Sequence, residues 1–177
     1  YQAGGAYGFR DGLQDVLCLM QSKSLLRDAR THLLRSAARQ FEDGGVLHWW
    51  HDMRGADGTV CRGSRSRCSD DYLWLVYVTA EYVRYTGDKA VLDVKVPYIE
   101  GEELGRSESE KYISARLTSR RESLFDHLER AVRRAVTLIG PHGLPLIGSC
   151  DWSDGLNGVG KGGRGESVWL AMFLRTV

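Results

Sequence analysis

The chain has 177 residues, 42% of them hydrophobic, enough to bury one sizeable core. Its 24 basic and 23 acidic residues are spread along the chain and leave a formal charge of +1, which argues against nucleic acid or an anionic membrane surface as a partner. No apolar run approaches the about 20 residues of a membrane span, and no signal peptide is visible, so any membrane anchor is expected only in segments outside this chain. The four cysteines, Cys18, Cys61, Cys68 and Cys150, form no CxxC pair, and reduced thiols in a cytosolic compartment are the expectation. The chain begins inside a glycine-rich turn at Tyr1 and stops at Val177 within the apolar pattern "SVWLAMFLRTV", so it reads as a piece of a longer protein.

Helical periodicity marks four segments, and none alternates with period two over a useful length. From Asp11 to Gln21, Leu13, Val16, Leu17 and Met20 recur three to four apart. Leu25 to Phe41 repeats the pattern with Leu26, Leu33, Leu34, Ala37 and Phe41, ending before Gly44. The third segment, "SDDYLWLVYVTAEYVRYTGD", is given Ser69 as its N-cap, two aspartates at its positive end and Gly87 as its stop. Its apolar and aromatic residues run nearly all round, which predicts a buried helix. The fourth runs from about Glu122 to Ile139, with Ser119 and Glu122 at capping-box spacing and Gly140-Pro141 ending it. A fifth begins near Glu166. Asp43 to Cys68, Asp93 to Arg121 and Pro141 to Gly165 read as long irregular loops, which tend to be functional. The expectation is an all-α chain with its chemistry on loops, one part of a barrel of helical hairpins.

Three stretches carry candidate chemistry. In "YGFRDGLQD", Arg10 and Asp11 lie at a turn leading into a helix, with Gln14 and Asp15 one turn further on. These acids either complement the helix dipole or, with the guanidinium, bind paired sugar hydroxyls. In "HWWH", His48 and His51 are followed by no partner at metal-site spacing, so no metal is expected. Trp49 and Trp50 suit either a sugar-stacking platform or the core. Arg54, Arg62, Arg65 and Arg67 read as a solvated basic loop.

The third stretch is "GSCDWSDGLNGVGKGGRGES", residues 148 to 167. Its tryptophan and the adjoining "GLPLIG" invite burial, which argues against a disordered linker. Its glycines match neither a P-loop nor a dinucleotide fingerprint. A carboxylic acid beside an indole in a closed loop suits a proton donor, because partial desolvation raises a carboxyl's pKa toward neutrality.

Taken together, "YGFRDGLQD", "HWWH", "CSDDYLWLVYVTAEYVRYTGD", "HGLPLIGSCDWSDGLN" and "GRGESVWLAMFL", in this order, resemble the catalytic domain of glycoside hydrolase family ninety-four, the family of inverting β-glucoside phosphorylases and of the C-terminal domain of cyclic β-1,2-glucan synthases. The resemblance implies that residues 1–177 are part of one (α/α)6 barrel catalytic domain. It implies inverting phosphorolysis of a β-glucoside, β-1,2-glucan above all, to α-glucose 1-phosphate. No cofactor is implied, and inorganic phosphate is the co-substrate beside a β-glucan oligosaccharide. Asp154 is implied as the general acid, Trp152 and Asp11 as sugar-holding residues, and Arg10 as fixing Asp11 by a charge-assisted pair. Gln14, Trp49, Trp50 and Glu166 are counted with them as substrate-binding residues. The location implied is the cytoplasm, or the cytoplasmic domain of an inner-membrane protein, and a homodimer is left open.

Three departures stand out. Ser153 replaces the motif's asparagine, Cys150 replaces a glycine, and "GGAYGF" lacks the arginine that precedes the RD pair in disaccharide phosphorylases. The family's phosphate-binding loops lie in a C-terminal part not present here. The alternative readings are an inverting glycoside hydrolase, with Asp151, Glu166 or Asp11 activating water, and a non-catalytic sugar-binding fragment.

Overall fold

In chain order the elements are β1 (Tyr7–Gly8), α1 (Phe9–Leu19), α2 (Leu26–Ala37), β2 (Leu47–Asp52), β3 (Thr59–Ser66), α3 (Asp71–Thr86), β4 (Lys95–Gly101), β5 (Glu110–Ser123), α4 (Leu124–Thr137) and α5 (Val168–Thr176). The computed structural model describes residues 4–177, and the start of the turn expected at Tyr1 lies outside them. The strands form one antiparallel sheet in the order β1-β2-β3-β5-β4. The expectation of an all-α chain, a partial (α/α)6 barrel of helices and irregular loops, is therefore overturned: two of its three long loops are strand hairpins.

The physical reason lies in what the strands bury. Cys61, Gly63, Ile113 and Ala115 meet on the core face, opposite the exposed or half-buried Arg62, Tyr112, Ser114 and Arg116. Period two is present, but the core-facing members are small and the outward members are long and charged, so a count of large apolar residues misses them.

The sheet's inner face shares a core with the helices. Trp50 of β2, Ile99 of β4 and Ile113 of β5 join Phe9 and Leu13 of α1, Leu33 of α2, Leu73 of α3 and Leu124 of α4. Each such side chain contributes on the order of 2 kcal/mol by leaving water. As expected, α3 closes at Gly87, whose N–H donates to the Val83 carbonyl, and it is buried nearly all round over residues 71–79, while its last turns carry the exposed Arg84 and Tyr85. Among the described residues, no helix is long and apolar enough to cross a membrane.

The helix ends differ in detail from expectation. Asp70 occupies the N-cap of α3, while Ser69 donates its hydroxyl to the Cys150 carbonyl. The capping box of α4 is formed by Ser123 and Asp126, because residues 119–122 still belong to the β4–β5 ladder. Helix α2 ends at Ala37, leaving Phe41 to pair in parallel with Ile99.

Candidate active site

The glycine-rich loop is built on a close approach of backbones. Segment 148–150 runs antiparallel to residues 67–69: Ser149 N–H donates to the Arg67 carbonyl at 3.0 Å and Ser69 N–H to the Cys150 carbonyl at 2.9 Å. At Gly148, with φ +63°, a Cβ would lie 1.9 Å from the Arg67 carbonyl oxygen, and at Gly160 one would lie 1.7 Å from the Gly148 oxygen. Only glycine permits both approaches. The loop is thus fastened to the start of α3 at one end. At its other end the Asp151 carboxylate accepts from the Ser167 hydroxyl at 2.6 Å, and Ser167 caps α5.

Arg10, in the first turn of α1, closes this arrangement. Its buried guanidinium donates through Nη1 to Asp70 Oδ1 at 3.1 Å and to the Asp151 carbonyl at 2.9 Å, and through Nη2 to Asp154 Oδ1. One side chain therefore joins α1, the N-terminus of α3 and the glycine loop, positions up to 144 residues apart. This differs from the implied role, in which Arg10 fixes Asp11. Its acidic partners are Asp70 and Asp154, and the Asp11 carboxylate instead folds back over Gly8, where an added Cβ would come within 2.6 Å of its Oδ2. Asp11 lies in the first turn of α1, where the leading backbone N–H groups have no intrahelical partner and a carboxylate is favoured.

Behind Arg10 lie residues whose part in the site the sequence did not disclose. Asp70 is fully buried, and burial together with the neighbouring Asp71 pushes its carboxyl up to about 6, against the pull of Arg10 and a 2.9 Å hydrogen bond from Trp74 Nε1. Asp71 meets His48 Nδ1 at 2.8 Å. His48 reaches it because β2 carries one extra residue between Leu47 and Trp49, and this bulge turns the imidazole toward α3. Burial acts to lower the His48 pKa, yet the Asp71 carboxylate overrides it and raises the imidazolium to about 9. His48, Cys68 and Asp71 present ligand atoms within 4.8 Å of one another, as do Cys68, Cys150 and Asp154. The Arg10 guanidinium, 3.7 Å from Cys68 Sγ and bonded to Asp154, opposes a cation in the second group.

The remaining expected site residues separate. Asp154 and Trp152 lie at the surface, 56% and 52% exposed, so the described residues do not supply the closed, indole-lined pocket expected around the acid. Trp50 is not a platform: it is fully buried, stacked on Tyr7 at 5.5 Å and donating Nε1–H to Asp52 at 2.9 Å. Trp49 points to the opposite, outer face of the sheet, where its ring packs 5.5 Å from Tyr112 and 5.8 Å from His51. Gln14 is half-buried on α1, one turn beyond Asp11. Glu166 turns its carboxylate toward the Gly140–His142 turn, accepting the His142 N–H at 3.1 Å. Arg65 and Arg67 are not a loose basic loop: Arg65 lies over the Phe41 ring and Arg67 binds the Gly105 and Glu108 carbonyls.

The arrangement is thus an arginine that holds a surface aspartate on a glycine-shaped loop, with an exposed tryptophan two residues before that aspartate. The chain belongs to the glycosyl hydrolase 94 superfamily catalytic domain, whose family model matches residues 1–177. It is 41% identical over 174 residues to the cyclic beta-(1,2)-glucan synthase NdvB of Rhizobium meliloti (strain 1021), covering 98% of this chain and 6% of that protein. It is 31% identical over 167 residues to the solabiose phosphorylase of Paenibacillus borealis, covering 94% of this chain and 18% of the relative. It is 25% identical over 186 residues to the N,N'-diacetylchitobiose phosphorylase of Vibrio proteolyticus, covering 94% and 20%. The chain thus spans a fifth or less of the length of each of these relatives. The family unites carbohydrate-active phosphorylases and glucan synthases.

Proposed function

We propose that this chain supplies the general-acid half of an inverting phosphorylase centre acting on β-linked glucosides, with β-1,2-glucan as the preferred class. The observation that carries the reading is the Arg10 clamp, which brings Asp154 to a fixed position at the meeting point of α1, α3 and the glycine loop. Asp154 protonates the glycosidic oxygen as its bond to the anomeric carbon breaks. A phosphate oxygen forms the new bond from the opposite face, giving the inverted sugar 1-phosphate and a free sugar hydroxyl. Asp154 enters the step as the carboxylic acid, its Oδ1 still accepting from Arg10, and the bound sugar displaces water from it. Asp11 and Gln14 bind hydroxyls of the donor sugar, and the exposed Trp152 ring packs on a pyranose face. The β-1,2 preference rests on the greater similarity to the glucan synthase than to the disaccharide phosphorylases.

Among the alternative bases for a hydrolase, Asp151 is already engaged by Ser167 and the Ser153 N–H, which counts against it as the residue that activates water. The test uses the complete protein carrying this chain, incubated with β-1,2-glucooligosaccharides with and without inorganic phosphate. The expected product is α-glucose 1-phosphate, formed only with phosphate. Sugar release at equal rates in phosphate-free buffer would establish the hydrolase instead.

A further inference from the structure

We propose that Cys68 and Cys150 are a thiol pair that closes to a disulfide under peroxide and so makes this site redox-responsive. Their sulfurs lie 2.9 Å apart, and the Cys150 thiol donates to Cys68 Sγ. The approach is fixed by backbone, since residues 67–69 and 148–150 are hydrogen-bonded partners in adjacent extended segments. A disulfide of about 2.05 Å therefore needs a movement of under one ångström, available from side-chain rotation. A metal is the competing occupant for two cysteines and an acid, but the Arg10 guanidinium stands against Cys68 and Asp154 and repels a cation. A neutral disulfide meets no such opposition.

Access and order of reaction follow from the surroundings. Cys68 lines a cavity of about 150 Å³ bounded by Tyr72, Arg134, Leu146 and Gly148, large enough for hydrogen peroxide. Its sulfur attacks one peroxide oxygen, the O–O bond breaks, and the displaced hydroxide takes the Cys68 thiol proton to depart as water, giving a sulfenic acid. Cys150 sulfur then attacks the sulfenic sulfur, and the displaced hydroxide departs as water with the Cys150 proton. Two thiols and one peroxide thus give one disulfide and two waters. The hydrogen bond shared with Cys150, burial, and the carboxylates of Asp71 and Asp70 raise the Cys68 thiol above its usual range. Closure is accordingly slow and answers sustained oxidation.

Closure reaches the proposed acid directly. In the reduced chain Cys150 Sγ lies 3.6 Å from Asp154 Oδ1, and Cys68 Sγ lies 3.2 Å from Asp70 Oδ1, so both acids held by Arg10 also face a thiol. The disulfide removes both S–H donors and draws Cys150 away from the Asp154 turn. The expected effect is a several-fold fall in kcat with little change in KM.

The experiment treats the complete protein with hydrogen peroxide and maps the products by non-reducing peptide mass spectrometry, then measures turnover before and after thiol reductant. The expected result is a 68–150 cross-linked peptide lacking two hydrogens, lost in Cys150→Ala, with turnover restored by reductant. Peptides in which Cys68 and Cys150 remain thiols while exposed Cys18 is oxidised would overturn the proposal. So would zinc retention that protects both thiols from peroxide. The activity arm rests on the phosphorylase reading, whereas the mapped bond requires no turnover, so the two can fail separately.

Discussion

Replacing Arg10 by methionine tests the clamp in energetic terms. Methionine keeps most of the length and removes the charge, so Asp70 is left with Trp74 Nε1–H and the Cys68 thiol, while Asp154 and the Asp151 carbonyl lose their charged donor and keep only distant thiols. Losing charge-assisted bonds at a buried site costs about 2 to 3 kcal/mol at any pH. A second cost depends on pH. Asp70 already has a folded pKa near 6, above the unfolded value of about 3.9, so its contribution to stability is fully present below about pH 4 and falls as pH rises to 6. Without Arg10 the folded pKa rises further, and the falling window extends upward. Between pH 6 and the new value the variant loses about 1.4 kcal/mol per pH unit that the native chain does not. The gap between the two proteins should therefore be about 2 to 3 kcal/mol at pH 5 and more than 1 kcal/mol wider at pH 7.5. Urea unfolding followed by tryptophan fluorescence reads it, and adding Asp70→Asn to the variant should remove the widening. A gap that is the same at both pH values, or under about 1 kcal/mol throughout, would refute the buried-charge argument.

His48 follows the same linkage with the same sign, in a higher pH window. Its folded pKa, near 9 against about 6.5 unfolded, adds stability that is complete below pH 6.5 and is lost as pH rises to 9, about 3 kcal/mol in all. His48→Gln should flatten that decline in a denaturation series from pH 6 to 9.5, and an unchanged slope would place the proton elsewhere. The two adjacent tryptophans should part company: Trp50→Ala is expected to cost about 3 to 5 kcal/mol by opening a core cavity, and Trp49→Ala about 1 kcal/mol through lost ring contacts. Thermal unfolding of both variants checks this, and equal losses would contradict the assignment of faces.

The sequence disclosed the helices more readily than the sheet. Helices α1, α2, α3 and α4 are marked by large apolar residues at three-to-four spacing, and α3 by a continuous apolar girth. The β3–β5 ladder, in contrast, buries Cys61, Gly63 and Ala115 behind arginines, serines and a tyrosine, a composition that resembles loop when only large apolar residues are weighed. The glycine loop was legible as shaped backbone, and its reason is now specific at Gly148 and Gly160. Asp70 and Asp71 were read as complements to a helix dipole, since the sequence gives no sign that an arginine 60 positions earlier is buried against the first of them. The extra residue at His48 was equally hidden, because a bulge becomes visible only once the partner strand is known.

If Asp154 delivers a proton to a departing sugar oxygen, as proposed, leaving-group chemistry isolates that role. In the complete protein, with phosphate present, Asp154→Asn is compared with the native enzyme on a β-1,2-linked disaccharide and on a 2,4-dinitrophenyl β-glucoside, whose phenolate leaves without a proton. A proton donor at Asp154 predicts a loss of ~10² to 10⁴ on the disaccharide and near-native cleavage of the aryl glucoside. Equal losses on both substrates would contradict it and make Asp154 a binding or positioning residue.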